Sequence, residues 1–196
     1  MTIKEHIKNT LLEKLCSFEA IGGAEQRAYG DILQSKAVEI LLESKNNLVT
    51  ETKPAKSKRT MEDVTLISDR VSYFIDLKTH DKNAGFSMPN LTSINRIRKV
   101  FSSDKKELIY ALISYVLQDN MVIVEDVEVF FIWELEPSIL SVGALGMGQL
   151  QIKDANQELL FTEQGKTIWY SEFVKIVQVY LQKQKIKIEK QIISWS

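Results

Sequence analysis

The sequence predicts an α/β (α+β) fold, a mixed central β-sheet flanked by helices. Three observations carry that expectation. Apolar residues recur at three- and four-residue steps through the first part of the chain, and again from Thr167 to about Lys190. Between these lie segments rich in β-branched and aromatic residues, separated by polar turns. No internal repeat and no linker suited to a second domain interrupts the order, so residues 1–196 are expected to form one domain.

Taken in order, residues 3–18 predict an amphipathic helix, with Ile3, Ile7, Leu11, Leu15 and Phe18 on its apolar stripe, ended by Gly22 and Gly23. A second helix fits roughly 24–45, burying Ile32, Leu33, Ala37, Val38, Leu41 and Leu42. These are the N-terminal helices of residues 1–50. KPAKSKR, with one proline and four positive charges, is expected to be a loop. VTLIS and VSYFIDLK, joined through Ser68-Asp69-Arg70, predict a hairpin. Residues 79–90 hold Asp81, Asn83, Gly85 and Pro89 and predict a loop, with a helix beginning after Pro89 and running to about Phe101.

LIYALISYVL (108–117) suits a central strand, although its periodicity alone also allows a helix. The Gln118-Asp119-Asn120 turn and MVIVEDVEVFFIW favour the strand. Gly143, Gly146 and Gly148 lead into a short strand, QLQIKD. The sheet region is thus expected over 62–155. The closing helix, 167–190, presents Ile168, Phe173, Val174, Val177 and Leu181 on one face. Trp133, Trp169 and Trp195 are read as core residues.

Composition narrows the function classes. Apolar content of 44% and charged content of 26% are those of an ordinary globular protein. The lone Cys16 has no intramolecular disulfide partner and reads as a small buried residue of the first helix; no Cys/His cluster offers a zinc site. MTIKEHIKNTLLEKL is charged throughout, unlike a signal peptide, and no apolar run approaches the ~18 residues of a membrane span. A cytoplasmic protein without a membrane partner is expected. The net charge of −1 does not itself suggest a nucleic-acid partner, but the charges are segregated. Lys53, Lys56, Lys58 and Arg59 form one basic run, Arg96, Arg98, Lys99, Lys105 and Lys106 a second, and Lys183, Lys185, Lys187 and Lys190 a third. Such runs fit either a basic cleft or a solvated face.

The chemistry concentrates in EDVTLISDRVSYFIDLKTHD, residues 62–81. Asp63 opens the first hairpin strand, Asp76 lies near the end of the second, and Lys78 follows two residues later. Strand side chains alternate with period two, so Asp76 and Lys78 share a face. An antiparallel pairing brings Asp63 towards Asp76, where two carboxylates repel unless a cation lies between them. Hard oxygen ligands suit magnesium (Mg2+), which retains waters and takes further positions from phosphate. Such an ion lowers the pKa of its water and polarises a phosphoryl oxygen, while a lysine stabilises developing negative charge and orients the attacking water. Standing alone, Asp-x-Lys is more often the pattern of an ion pair at a strand end.

The wider segment resembles the PD-(D/E)xK motif of type II restriction endonucleases, with Glu62-Asp63 in place of Pro-Asp and Asp76-Leu77-Lys78 as D-x-K. Within that superfamily it is most similar to the EcoRV/HincII branch. The likeness rests on DVTLIS…FIDLKT, on Thr79 after the lysine, on the thirteen-residue step between the acids, and on Pro89-Asn90 eleven residues past Lys78. It covers about residues 25–185, most specifically 62–95.

The resemblance implies a restriction-endonuclease-like sheet and a homodimer that cuts both strands of a short palindromic site in double-stranded DNA with magnesium. Asp63, Asp76 and Lys78 would be catalytic, with Asp63 and Asp76 as metal ligands. Ser87 would press into the base stack. Asn90, Ser93, Gln149 and Gln151 would lie near base edges, and Lys58 and Arg59 near phosphates. The family commonly adds an acidic residue on the preceding helix; alignment on Gly30 puts Gln34 there, with Glu39 five residues later, and either position is open. His80 is a phosphate contact or a solvent-exposed histidine. Gln149 and Gln151 share one strand face, suited to adenine or to solvent. The alternatives are a structure-selective repair or junction nuclease of the same superfamily, and a non-catalytic DNA-binding or interaction protein.

Overall fold

Thr2 and Glu5 open the chain's first helix with a reciprocal capping box. The Thr2 hydroxyl accepts from the Glu5 amide at 3.2 Å and the Thr2 amide donates to Glu5 Oε2 at 2.6 Å. The computed structural model describes residues 1–15, 17–19, 26–57, 62–84, 90–119, 121–143, 148–154 and 158–195, with side chains of 17–19 and 26–28 excepted. These residues form two compact units, one of residues 1–87 and 99–132, the other of residues 88–98 and 133–196.

In the first unit, α1 (Ile3–Lys14) is shorter than its expected span to residue 18. Ser17–Glu19 instead form β1, which pairs antiparallel with Met121–Ile123. An edge strand's unpaired backbone groups need partners, and that ladder outweighs a fourth helical turn. Cys16 lies outside the described residues. α2 (Gln26–Leu42) buries Leu33, Ala37 and Leu41 at four-residue steps. The basic stretch expected as a loop begins as an edge strand, β2 (Glu51–Pro54), with its proline at the end, where a missing N–H costs no ladder bond.

β3 (Val64–Ser68) and β4 (Val71–Asp81) make the expected hairpin. Its two turn residues, Asp69 and Arg70, both have positive φ (47° and 67°), as a type I′ turn requires. β4 runs through Asp81, past the expected loop start at residue 79. α3 (Ile94–Phe101) leads to β6 (Lys106–Gln118), which lies parallel to β4 and antiparallel to β7 (Met121–Phe131). The strand reading of 108–117 therefore holds over the helical one.

Among the described residues, the sheet order is β1-β7-β6-β4-β3-β2, with β4 and β6 the parallel pair at its centre. Leu33, Ala37 and Leu41 of α2 join Ile7 and Leu11 of α1 in one core with Ile75, Leu77, Ile109, Ala111 and Ile113. Each of these leucine and isoleucine side chains, fully buried, contributes about 1.5–3 kcal/mol.

The second unit contains a separate antiparallel sheet in the order β5-β9-β8, from Asn90–Ser93, Gln149–Ile152 and Leu140–Gly143. The stretch 62–155, expected to hold the catalytic sheet and the DNA-reading segments, contributes strands to two sheets, and a strand precedes the helix expected after Pro89. α4 (Lys166–Trp195) continues beyond its expected end at residue 190. Trp169 is fully buried and its indole donates to the Leu135 carbonyl at 2.7 Å, with Phe173 stacked at 5.5 Å. Trp195 is 89% exposed and is not a core residue; Ile168 and Leu181 are also exposed, off the buried side marked by Trp169 and Phe173. No helix among the described residues is long and apolar enough to cross a membrane.

Candidate active site

The site begins where the hairpin ladder stops. Val64 pairs with Ile75, and β3 goes no further, while β4 continues from Asp76 to Asp81 beside β6 alone. The Leu77 amide thereby loses a strand partner and donates instead to Asp63 Oδ2 at 2.8 Å. The Asp63 amide donates to the Ile75 carbonyl at 2.8 Å. Asp63 is thus tied to the residue on each side of Asp76, at the end of the hairpin.

Asp76 and Lys78 alternate with Ile75 and Leu77, whose side chains belong to the core beneath the helices. The acid and the lysine consequently project from the opposite sheet face. Asp76 is 6% exposed, and Lys78 Nζ lies 2.6 Å from Asp76 Oδ1. An ionised pair this close, with a buried acid and a partly exposed lysine, leaves the ammonium accessible from solvent while its position is set by the sheet.

Between the two helix positions left open, α2 presents Gln34 to the site. Its Nε2 donates to Asp63 Oδ2 at 3.1 Å. Glu39 is exposed and lies five residues on, about 140° further round the helix. The set near Asp63 is therefore two carboxylates, an amide and a lysine. No cluster of three or more His, Cys, Asp or Glu side chains suited to a metal occurs among the described residues. Two hard carboxylates at a partly open strand end nevertheless fit magnesium, which needs only one or two protein carboxylates when water and phosphate supply the rest.

The polar residues singled out further along the chain meet in the second unit. Asn90 pairs across strands with Gln151, and Ser93 with Gln149. Gln151 Nε2 donates to Asn90 Oδ1 at 2.6 Å. The Gln151 amide lies so closely over Gly143 that a Cβ there would overlap it. Leu150 and Ile152 turn inwards and are buried, so Gln149 and Gln151 share the other face. This polar face has the donors and acceptors that base edges present.

The remaining candidates separate. Lys58, Arg59 and Ser87 lie outside the described residues. Lys53 pairs with Glu51 at 3.1 Å. Arg98, Lys99 and Lys105 are exposed on and after α3. His80 is half-buried; desolvation holds its pKa below the usual imidazole value, with Asp81 opposing that shift. Sequence reasoning did not anticipate a groove of about 370 Å³ beside α4, where Lys153, Lys175 and Lys183 gather with apolar residues of β8 and α4. The tail's lysine run hinted at Lys183, but Lys153 comes from the strand end and only the fold unites them.

No protein-family model matches this sequence, and no curated protein matches it. Among solved structures, the chain is similar to NlaIV restriction endonuclease, with a TM-score of 0.52 and 12% identity, over 85% of this chain and 72% of that one. That likeness shows architecture: the chain has a restriction-endonuclease-like fold.

Proposed function

We propose that this protein is a type II restriction endonuclease, a magnesium-dependent homodimer cutting a short palindromic site in double-stranded DNA. The observation that carries the reading is the Asp63–Asp76–Lys78 arrangement at the open end of β3 and β4, within a fold like that of a known restriction endonuclease. The pattern DVTLIS…FIDLKT supports membership of the EcoRV/HincII branch. A cytoplasmic location accords with this role.

Asp63 and Asp76 would hold the ion, Asp63 through the oxygen that faces away from Leu77 and Gln34. Bound there, magnesium would supply Lewis-acid polarisation of the phosphate and a water of lowered pKa. Lys78, held beside Asp76, would stabilise negative charge growing on the phosphate oxygens. Asn90, Ser93, Gln149 and Gln151 read base edges, with Ser87 against the stack. Lys58, Arg59 and the exposed cations of α3 contact phosphates, making affinity salt-dependent.

One chain supplies one catalytic constellation, so cutting two strands at a two-fold site calls for a second copy. The exposed apolar residues of α4, Leu181, Ile188, Ile192 and Trp195 among them, offer surface for that copy.

Purified protein incubated with plasmid DNA and magnesium tests the reading. Discrete fragments support it. Structure-selective or unspecific nicking would favour a repair or junction nuclease, and intact DNA a non-catalytic binding protein.

A further inference from the structure

We infer that Gln34 is a positioning residue that limits the site to one divalent cation. The inference rests on the reading of Asp63 and Asp76 as metal ligands, and it concerns how many ions they hold. Asp63 Oδ2 accepts two hydrogen bonds, from the Leu77 amide at 2.8 Å and from Gln34 Nε2 at 3.1 Å. A carboxylate oxygen has two lone-pair sites, and both on Oδ2 are engaged. The ionised acid accepts only, so the NH2 end of Gln34 is the end that faces it.

Two consequences follow for a cation. Asp63 can bind through Oδ1 alone, since no described residue donates to that oxygen, and so cannot bridge two ions with its two oxygens. On the α2 side, moreover, an ion would meet the donor end of an amide rather than a third carboxylate. A second divalent ion there would meet no third negative charge, and Asp63 Oδ2 has no lone pair left to share with it.

The helix is set to make this bond. A Cβ on Gly30 would lie 2.7 Å from Thr79 Oγ1, so α2 approaches β4 at a distance only glycine allows without displacing Thr79. Gln34 lies one turn on from Gly30, on the same helix face. The Gly30–Thr79 contact therefore holds Gln34 at the height of Asp63.

Titration of the full-length protein with Mn2+, read by calorimetry and electron paramagnetic resonance, tests the inference without reference to cleavage. The wild type should bind one Mn2+ per chain. Gln34→Glu should bind two, with the broadened spectrum of neighbouring Mn2+ ions. Gln34→Met, similar in length but without a donor, should still bind one, with affinity lowered on the order of fivefold as Asp63 loses a hydrogen bond. Two ions in the wild type, or one in a folded Gln34→Glu variant, would overturn the inference. Unchanged affinity in Gln34→Met would overturn the positioning role even if Gln34→Glu failed to fold. A wild type that binds no Mn2+, or an Asp63→Ala variant that binds it normally, would instead remove the reading of the site on which the inference rests.

Discussion

The end of the β3–β4 hairpin and the face of the β5-β9-β8 sheet meet the same demand, polar side chains ready for a ligand, in opposite ways. At the hairpin the polar groups carry charge and are held by backbone: Asp63 by Ile75 and Leu77, and Asp76 at 6% exposure on a central strand. On the smaller sheet they are neutral amides satisfying one another across strands, as Gln151 does with Asn90. Buried charge needs fixed partners, because each unmet bond is costly in a low-dielectric setting. Surface amides exchange partners at little cost. A fixed charged cluster suits chemistry that repeats unchanged on every substrate. An exchangeable amide pair suits reading, in which the right base replaces the internal bond and the wrong base does not.

The largest expected effect separates the two regions most sharply. Asp76→Ala and Lys78→Ala should each lower DNA cleavage on the order of a thousandfold or more, because on the proposed reading Asp76 holds the ion and Lys78 offsets charge on the phosphate. Circular dichroism and thermal melting should still report a folded protein. Normal cutting by either variant would end the site assignment.

Next in size, Gln151→Ala should cut discrimination between the preferred base and its substitutes by about 1–3 kcal/mol at one position of the site. Competition binding in Ca2+ reads this directly. Mn2+ affinity in the absence of DNA should not change. If Gln151→Ala weakened metal binding as strongly as it relaxed specificity, the division between fixed chemistry and exchangeable reading would collapse.

The smallest effect lies away from both regions, in the core of the first unit. His6 is buried beside Asn46, whose Nδ2 lies 3.1 Å from His6 Nδ1. Desolvation holds the His6 pKa below the ordinary 6.5, with the Ser44 backbone pulling the other way. The unfolded chain therefore takes up the proton first as pH falls. Stability is complete above the unfolded value and is lost as pH drops through the lower, folded value. Urea melts between about pH 7.5 and pH 5.5 should show this loss. His6→Gln should flatten it, leaving the same-signed contribution of His80, also depressed by burial. An unchanged pH profile in His6→Gln would show that His6 does not carry the dependence.

How much of this was legible in the sequence differs by scale. Asp76 and Lys78 share a face because strands alternate, which needs no tertiary information. The Asp69-Arg70 turn fixed the hairpin register, and with it the approach of Asp63. The short edge strands β1 and β2 were not legible, because three or four residues acquire strand geometry only from the neighbour they pair with. The choice between Gln34 and Glu39 depends on how α2 is rotated against β4, and that is set by the Gly30–Thr79 approach rather than by helix periodicity. The Asn90–Gln151 bond joins residues 61 apart in sequence, so each could be named as a candidate but their pairing could not. Trp195 was misread for a related reason: an aromatic residue predicts burial only where another element reaches it, and at 89% exposure none among the described residues does.

Asp63 and Asp76 are proposed to hold a divalent ion where DNA is cut. Plasmid digestion by wild type and Asp63→Ala, each with magnesium and with a chelator, tests it most directly. Discrete fragments are expected from the wild type with magnesium, and intact plasmid in the other three reactions. Cleavage by Asp63→Ala at the wild-type rate, or by the wild type in chelator, would contradict the proposal.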